Sequence, residues 1–233
     1  MAKKSNAVVE KFKGVGAEDV SVNDLSISFI KLVQKTSNVP GAKAGDIVDS
    51  VSGKKLDNPL IVVPIKKFID WVKFNDDFMI CGRSVDGKTW DDGEELTEEE
   101  RWKNKRINFF VYLEDQDTAT LPYCISFGKS SFKAGQKMAN ISDKHILMEQ
   151  APIFSQKFKL SAKETKFNKN TAFVWEVELE GEVDNEDFMD EANKMRESIS
   201  NRIKNDTNLL AAHKEEKEAE EPKAETKKSK RRF

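Results

Sequence analysis

Between Ile107 and Leu113 every odd-numbered residue is apolar: Ile107, Phe109, Val111 and Leu113. A period of two is the signature of a strand with one buried face. The pattern recurs further on. Phe154, Phe158 and Leu160 share one face of a strand, with Lys157 and Lys159 on the other. Phe173, Trp175, Val177 and Leu179 line a face opposite Glu176, Glu178 and Glu180. Leu60 to Phe74 is a long extended stretch whose alternation breaks near Pro64, which predicts a bulge or bend. Leu121 to Phe127 follows Asp115-Gln116-Asp117 as an antiparallel partner of the Ile107 strand. Leu25 to Val33 and Phe78 to Cys81 read as further strands, and Ser130 to Asn140 as a short helix. Three strands, a helix and two strands is the order of a five-stranded Greek-key barrel. The expected fold is therefore mainly β: an OB-like barrel with extra N-terminal strands and one short internal helix.

From Asp184 the period changes. Phe188, Ala192, Met195, Ile199 and Ile203 step by three or four residues, one stripe of an amphipathic helix with Asp184 as its N-cap. The expected organisation is a flexible arm over 1–19, the barrel over 20–183, the helix over 184–212 and a disordered charged tail over 213–233. Beyond His213 the residues are too polar to bury anything.

The apolar runs are too short to span a bilayer, and no apolar stretch follows the basic start, so neither a membrane span nor a secretory signal is expected. Cys81 and Cys124 lie far apart in strand-like segments, with neither zinc spacing nor a disulfide framework. A reducing cytoplasm fits that usage, and Cys81 reads as a buried strand thiol. No nucleophile elbow, phosphate-binding glycine loop or His-Glu-x-x-His stretch is present, and no enzyme or cofactor is expected. Asp86, Asp91, Asp92 and Glu94 miss the alternate spacing of a calcium loop. They leave a metal-assisted nuclease as a third, weaker hypothesis.

The net charge of −2 conceals segregated blocks. Residues 91–100 are acidic, 101–106 basic, 126–170 lysine-rich and 171–192 acidic. A non-specific binder of single strands needs cations for phosphates and flat rings for bases. Candidate cations are Lys66, Lys67, Lys73, Arg106, Lys129, Lys133, Lys137, Lys157, Lys159, Lys163 and Lys166. Candidate stacking rings are Trp71, Trp90, Trp102, Phe110, Tyr112 and Phe167. Rival readings stand beside these. Lys157 and Lys159 can pair across the hairpin with Glu176 and Glu178. Phe110 and Tyr112 can be covered by the N-terminal strand or the C-terminal helix, and Phe127 and Phe132 can be core.

The segments Phe127 to Lys137 and Phe158-Lys159-Leu160 to Lys166-Phe167-Asn168, the latter closing on Trp175-Glu176-Val177, resemble those of the OB-fold single-stranded-DNA-binding proteins encoded by phages. A polar tail ending in phenylalanine, here Phe233, adds to the likeness, which covers residues 59–181. One departure is the tail tip, where Lys227 to Arg232 carry five bases instead of acids. The resemblance implies a protein that protects and organises single strands in replication or recombination. The expected partners are single-stranded DNA, replication or recombination proteins and, in some assemblies, a second copy of the chain, with no membrane. Phe188, Met195, Ile199, Ile203 and Phe233 are the candidate protein-docking residues. The alternative is a scaffold or adaptor of such an assembly with no affinity for DNA.

Overall fold

The computed structural model describes residues 27–37, 39–75, 79–118, 120–167 and 170–205. The expected arm, the tail with Phe233, and Phe78 lie outside the described residues, as does the side chain of Ile203. Nine strands form one mixed sheet: β1 (Phe29–Leu32), β2 (Ile47–Asp49), β3 (Lys55–Leu56), β4 (Leu60–Phe74), β5 (Ile80–Ser84), β6 (Lys105–Leu113), β7 (Tyr123–Gly128), β8 (Gln156–Phe167) and β9 (Asn170–Glu182). The three helices among the described residues are α1 (Glu98–Asn104), α2 (Phe132–Glu149) and α3 (Glu186–Asn205). None is long and apolar enough to cross a membrane.

The strand order is β3-β2-β1-β7-β6-β4-β8-β9, with β5 beside the far end of β4. On β5 Cys81, expected to be buried, is exposed. Only β1 and β7 run parallel; every other pair is antiparallel. The expected closed barrel is not what forms. Among the described residues no ladder joins β9 to β7 or to β1, so the sheet stays open. The physical reason is β1, which occupies the β7 edge over Phe29 and Ile30. The gap is crossed by side chains. Gln34 Nε2 donates to the Phe173 carbonyl at 2.8 Å, while its Oε1 accepts the Phe173 N–H at 3.0 Å. One side-chain amide thus does for Phe173 what a neighbouring strand would do. Lys35 and Glu164 pair across the same gap at 2.8 Å.

The break in alternation at Pro64 is a bulge: the β4–β6 register shifts between Pro64 and Lys66. Opposite β6, β4 pairs first with β8 through residues 60–62 and then with β5 through residues 71–74. Fifteen residues are long enough to serve three neighbours.

Each face of the sheet buries a different helix. On one face Ile107, Phe109, Val111, Ile125 and Phe127 pack with Met138 and Ala139 of α2, and with Phe158, Leu160, Trp175 and Val177 of the last hairpin. Gly135 permits that approach, since a Cβ there would lie 2.4 Å from the Cβ of Phe127. The helix runs past the expected Asn140 to Glu149. Its buried stripe continues through Ser142 and His145, polar residues that hide the period in the sequence. It stops at Gln150 in the left-handed region (φ 54°) ahead of Pro152.

On the other face Phe110 and Cys124 pack with Ile27, Phe29, Phe68, and Met195 and Ile199 of α3. The N-cap of α3 is Asn185, whose Oδ1 accepts the Phe188 N–H at 3.0 Å, one residue past the expected Asp184.

Candidate nucleic-acid interface

The sequence nominated Phe110 and Tyr112 as stacking rings because they break the polar face of β6. Both are fully buried. Phe110 stacks on Phe68 with centroids 5.1 Å apart, and Tyr112 meets Phe188 edge-on at 5.9 Å. The Tyr112 hydroxyl donates within reach of the Thr118 and Thr120 carbonyls, and burial pushes the phenol up to about 12. Neither ring can receive a base. The same packing engages the stripe nominated for docking: Ile199 is buried, and Phe188 and Met195 are half-buried against the chain's own sheet.

Most nominated cations are likewise engaged. Lys67 pairs with Asp143 of α2, and Lys66 donates to Ser200 of α3 at 2.6 Å. Lys159 and Lys163 pair across the hairpin with Glu178 and Glu176, and Lys157 reaches Glu114 at 2.9 Å. Lys73 holds Glu100 at 3.1 Å and lies 5.7 Å from the centroid of Trp90. Trp90 itself is buried against Gly82 rather than exposed. Trp71 packs on Gly87 and donates its indole N–H to the Arg101 carbonyl at 2.9 Å. These interactions order the connection from β5 to β6, which ends in α1. That helix carries a capping box, in which the Glu100 N–H meets Thr97 and the Thr97 N–H meets Glu100.

What remains exposed lies in three places. Lys129 and Lys133 open the turn into α2, and neither makes an ion pair among the described residues. Lys137, one turn further on, is exposed near Glu176. Lys166 and Phe167 are exposed at the tip of the β8–β9 hairpin. Trp102 projects from α1 with 74% of its surface exposed.

Arg106 belongs to a polar cluster at the end of the second face, past the apolar packing of α3. Its Nε donates to Asp70 Oδ1 at 3.0 Å, and its Nη2 meets Asp70 Oδ2. Asn108 donates to Asp70 Oδ1 at 2.7 Å, and Ser126 donates to Asn108. A second arginine, Arg83 of β5, brings Nε to 3.8 Å from the same Asp70 Oδ2. That separation is too long for a hydrogen bond. Arg83 is only 8% exposed, and its Nε and Nη1 have no hydrogen-bond partner among the described residues. Burial pulls its guanidinium below the ordinary value, with Asp70 opposing. Beside the cluster, Lys129 Nζ lies 4.9 Å over the ring of the half-buried Phe74. The sequence did not nominate Arg83. The signal for it was Asp70, Arg83, Arg106 and Asn108 as polar residues inside otherwise apolar strands.

Two other arrangements have a chemical look. Asp86 of the β5–α1 connection spends its carboxylate on the N–H groups of Lys88 and Thr89 and the hydroxyl of Ser84, and those bonds lower its pKa. Asp91 and Asp92 accept the N–H groups of Arg83 and Glu94. These acids organise their own loop, and no metal-holding group occurs among the described residues. His145 sits 2.7 Å from Ser155 Oγ and 2.7 Å from Glu149, the distances of a Ser–His–acid triad. The Ser155 hydroxyl donates to the Pro152 carbonyl at 2.8 Å, which spends its one proton on the turn. The trio ties the last turn of α2 to the start of β8.

A protein-family model described as Pam3 phage gp34-like protein matches residues 3–205. No curated protein and no solved structure matches the chain.

Proposed function

The chain belongs to the Pam3 phage gp34-like family, and on that premise we propose that it binds single-stranded DNA without sequence preference and serves the phage's DNA replication or recombination. The observation that carries this reading is the pairing of Lys129 with the Phe74 ring beside the Arg106 cluster. A cation and a flat ring at one strand end are the two elements that a non-specific single-strand site requires.

The strand string supports the finer, OB-like reading. β4, β6, β7, α2, β8 and β9 follow the expected order, with the barrel opened between β7 and β9 by the intervening β1. Such folds take oligonucleotides on the second and third strands and on the loops that follow the first and fourth. In this chain those are the β6–β7 face, the connection through α1, and the β8–β9 turn. Arg106 and Lys129, Trp102, and Lys166 with Phe167 fall on them in that order.

Titration of tryptophan fluorescence with oligo-dT at low salt tests the proposal. Saturable quenching, reduced in Trp102→Phe, is expected. No binding by fluorescence or by mobility shift would refute it. The adaptor reading has one observation in its favour. Leu147 and Met148 are 76% and 73% exposed at the end of α2, beside exposed Ile146. It predicts capture of a phage protein through that turn with no response to oligo-dT.

A further inference from the structure

The cluster at Asp70 is unbalanced. Two guanidinium groups converge on one buried carboxylate. Asp70 Oδ1 already accepts from Arg106 and Asn108, and Oδ2 accepts from Arg106. Arg83 is left at 3.8 Å from Oδ2, with Nε and Nη1 buried and unmatched. The other acid that acts on the Arg83 guanidinium is Asp91, an exposed residue whose carboxylate accepts the Arg83 backbone N–H at 3.2 Å. A buried guanidinium with two unmatched donors is costly, and such a group persists where something else completes it. Arginine also presents its donors in a rigid fork that suits phosphate oxygens.

We infer that Arg83, braced by the Asp70–Arg106–Asn108 network, is the seat of an oxyanion site for a phosphate group. The phosphate is either the phosphodiester of a bound single strand or a free phosphate. Only the first source rests on the function proposed above. Asp70 holds Arg106 in place and cancels one of the two positive charges. The remaining charge, offset only by the exposed Asp91, attracts a single anionic group and does not create a broad cationic surface. Lys129, which follows the Gly128 packed on Arg106, is exposed over the Phe74 ring and supplies a second cation.

The test uses the full chain. Melting temperature is measured in sodium phosphate and in sodium chloride at matched ionic strength. Phosphate at a hundredfold excess over its dissociation constant should raise the midpoint by about 5 °C or more relative to chloride. Arg83→Met removes the fork and fills its space with apolar atoms. This variant should fold, melt no lower than the parent in chloride, and lose the phosphate-specific rise. Arg83→Lys serves if the methionine variant misfolds, since it keeps the charge and loses the fork. Oligo-dT affinity in chloride separates the two sources. A loss of tenfold or more in Arg83→Met assigns the site to a strand phosphodiester. An intact affinity together with the disappearance of the phosphate rise assigns it to free phosphate. Equal melting of the parent in phosphate and chloride, with oligo-dT affinity unchanged in the variant, overturns the site. So does a phosphate rise that persists in both variants. Failure of the parent to bind oligo-dT removes the proposed function and leaves the phosphate measurement to stand or fall alone.

Discussion

Replacing Phe110 by alanine separates the two roles its position allows. As a base platform the ring would be dispensable for folding. In the structure it is fully buried between Phe68, Cys124 and Ile199, and it joins α3 to the centre of the sheet. Truncating a core phenylalanine costs about 3–5 kcal/mol through transfer energy forgone and the cavity left behind. Loss of the stacked pair with Phe68, worth about 1 kcal/mol, falls within that range. For a chain of this size the change lowers the melting midpoint by about 10 °C. Urea unfolding followed by circular dichroism measures it directly. Oligo-dT affinity, scored per folded molecule at a temperature where the variant is native, should change little. A stability loss below about 1 kcal/mol, or a selective loss of DNA binding with stability intact, would refute the packing account of the second face.

Gln34→Leu should cost about 1–3 kcal/mol, since both backbone groups of Phe173 lose their partner, and exchange of the Phe173 amide should accelerate. Unchanged protection there would mean the amide bridge does not hold the sheet ends together. Gly135→Ala should destabilise although alanine is the better helix former by about 1 kcal/mol, because its Cβ would meet Phe127 at 2.4 Å; a stabilised variant contradicts the close approach. Glu100 is held down to about 2 from 4.5, first by the Thr97 N–H and then by Lys73. Its folded pKa lies below its unfolded one, so its contribution is whole above about pH 4.5 and vanishes as the pH falls to about 2. The melting gap between the parent and Glu100→Gln should therefore close over that window, and a gap independent of pH would contradict the capping-box assignment.

Legibility in the sequence followed burial. Strands with one clean apolar face, β6, β8 and β9, could be read from period two, and α3 from the switch to a helical period. The bulge was visible because Pro64 cannot donate to a ladder. The second face of β6 was harder, since Phe110 and Tyr112 look the same whether a base or a helix covers them. Their cover comes from α3, far along the chain, and alternation within one strand says nothing about that. Helix α1 carried a readable Thr97-x-x-Glu100 capping box in an acidic stretch that otherwise reads as loop. That the sheet stays open was not legible, because it turns on the pairing of β1 with β7 across a long stretch of sequence. Arg83 escaped for a similar reason: its neighbours Asp70 and Arg106 come from other strands, and only register brings them together.

The proposed phosphate-tracking site, at the start of β6 and the end of β7, is tested most directly by the salt dependence of oligo-dT binding. In the parent chain log K should fall linearly with log salt. Lys129→Gln combined with Lys133→Gln should flatten the slope by about 1.4, at about 0.7 for each phosphate of a single strand that is no longer neutralised. An absence of binding, or a slope identical in parent and variant, would contradict the claim.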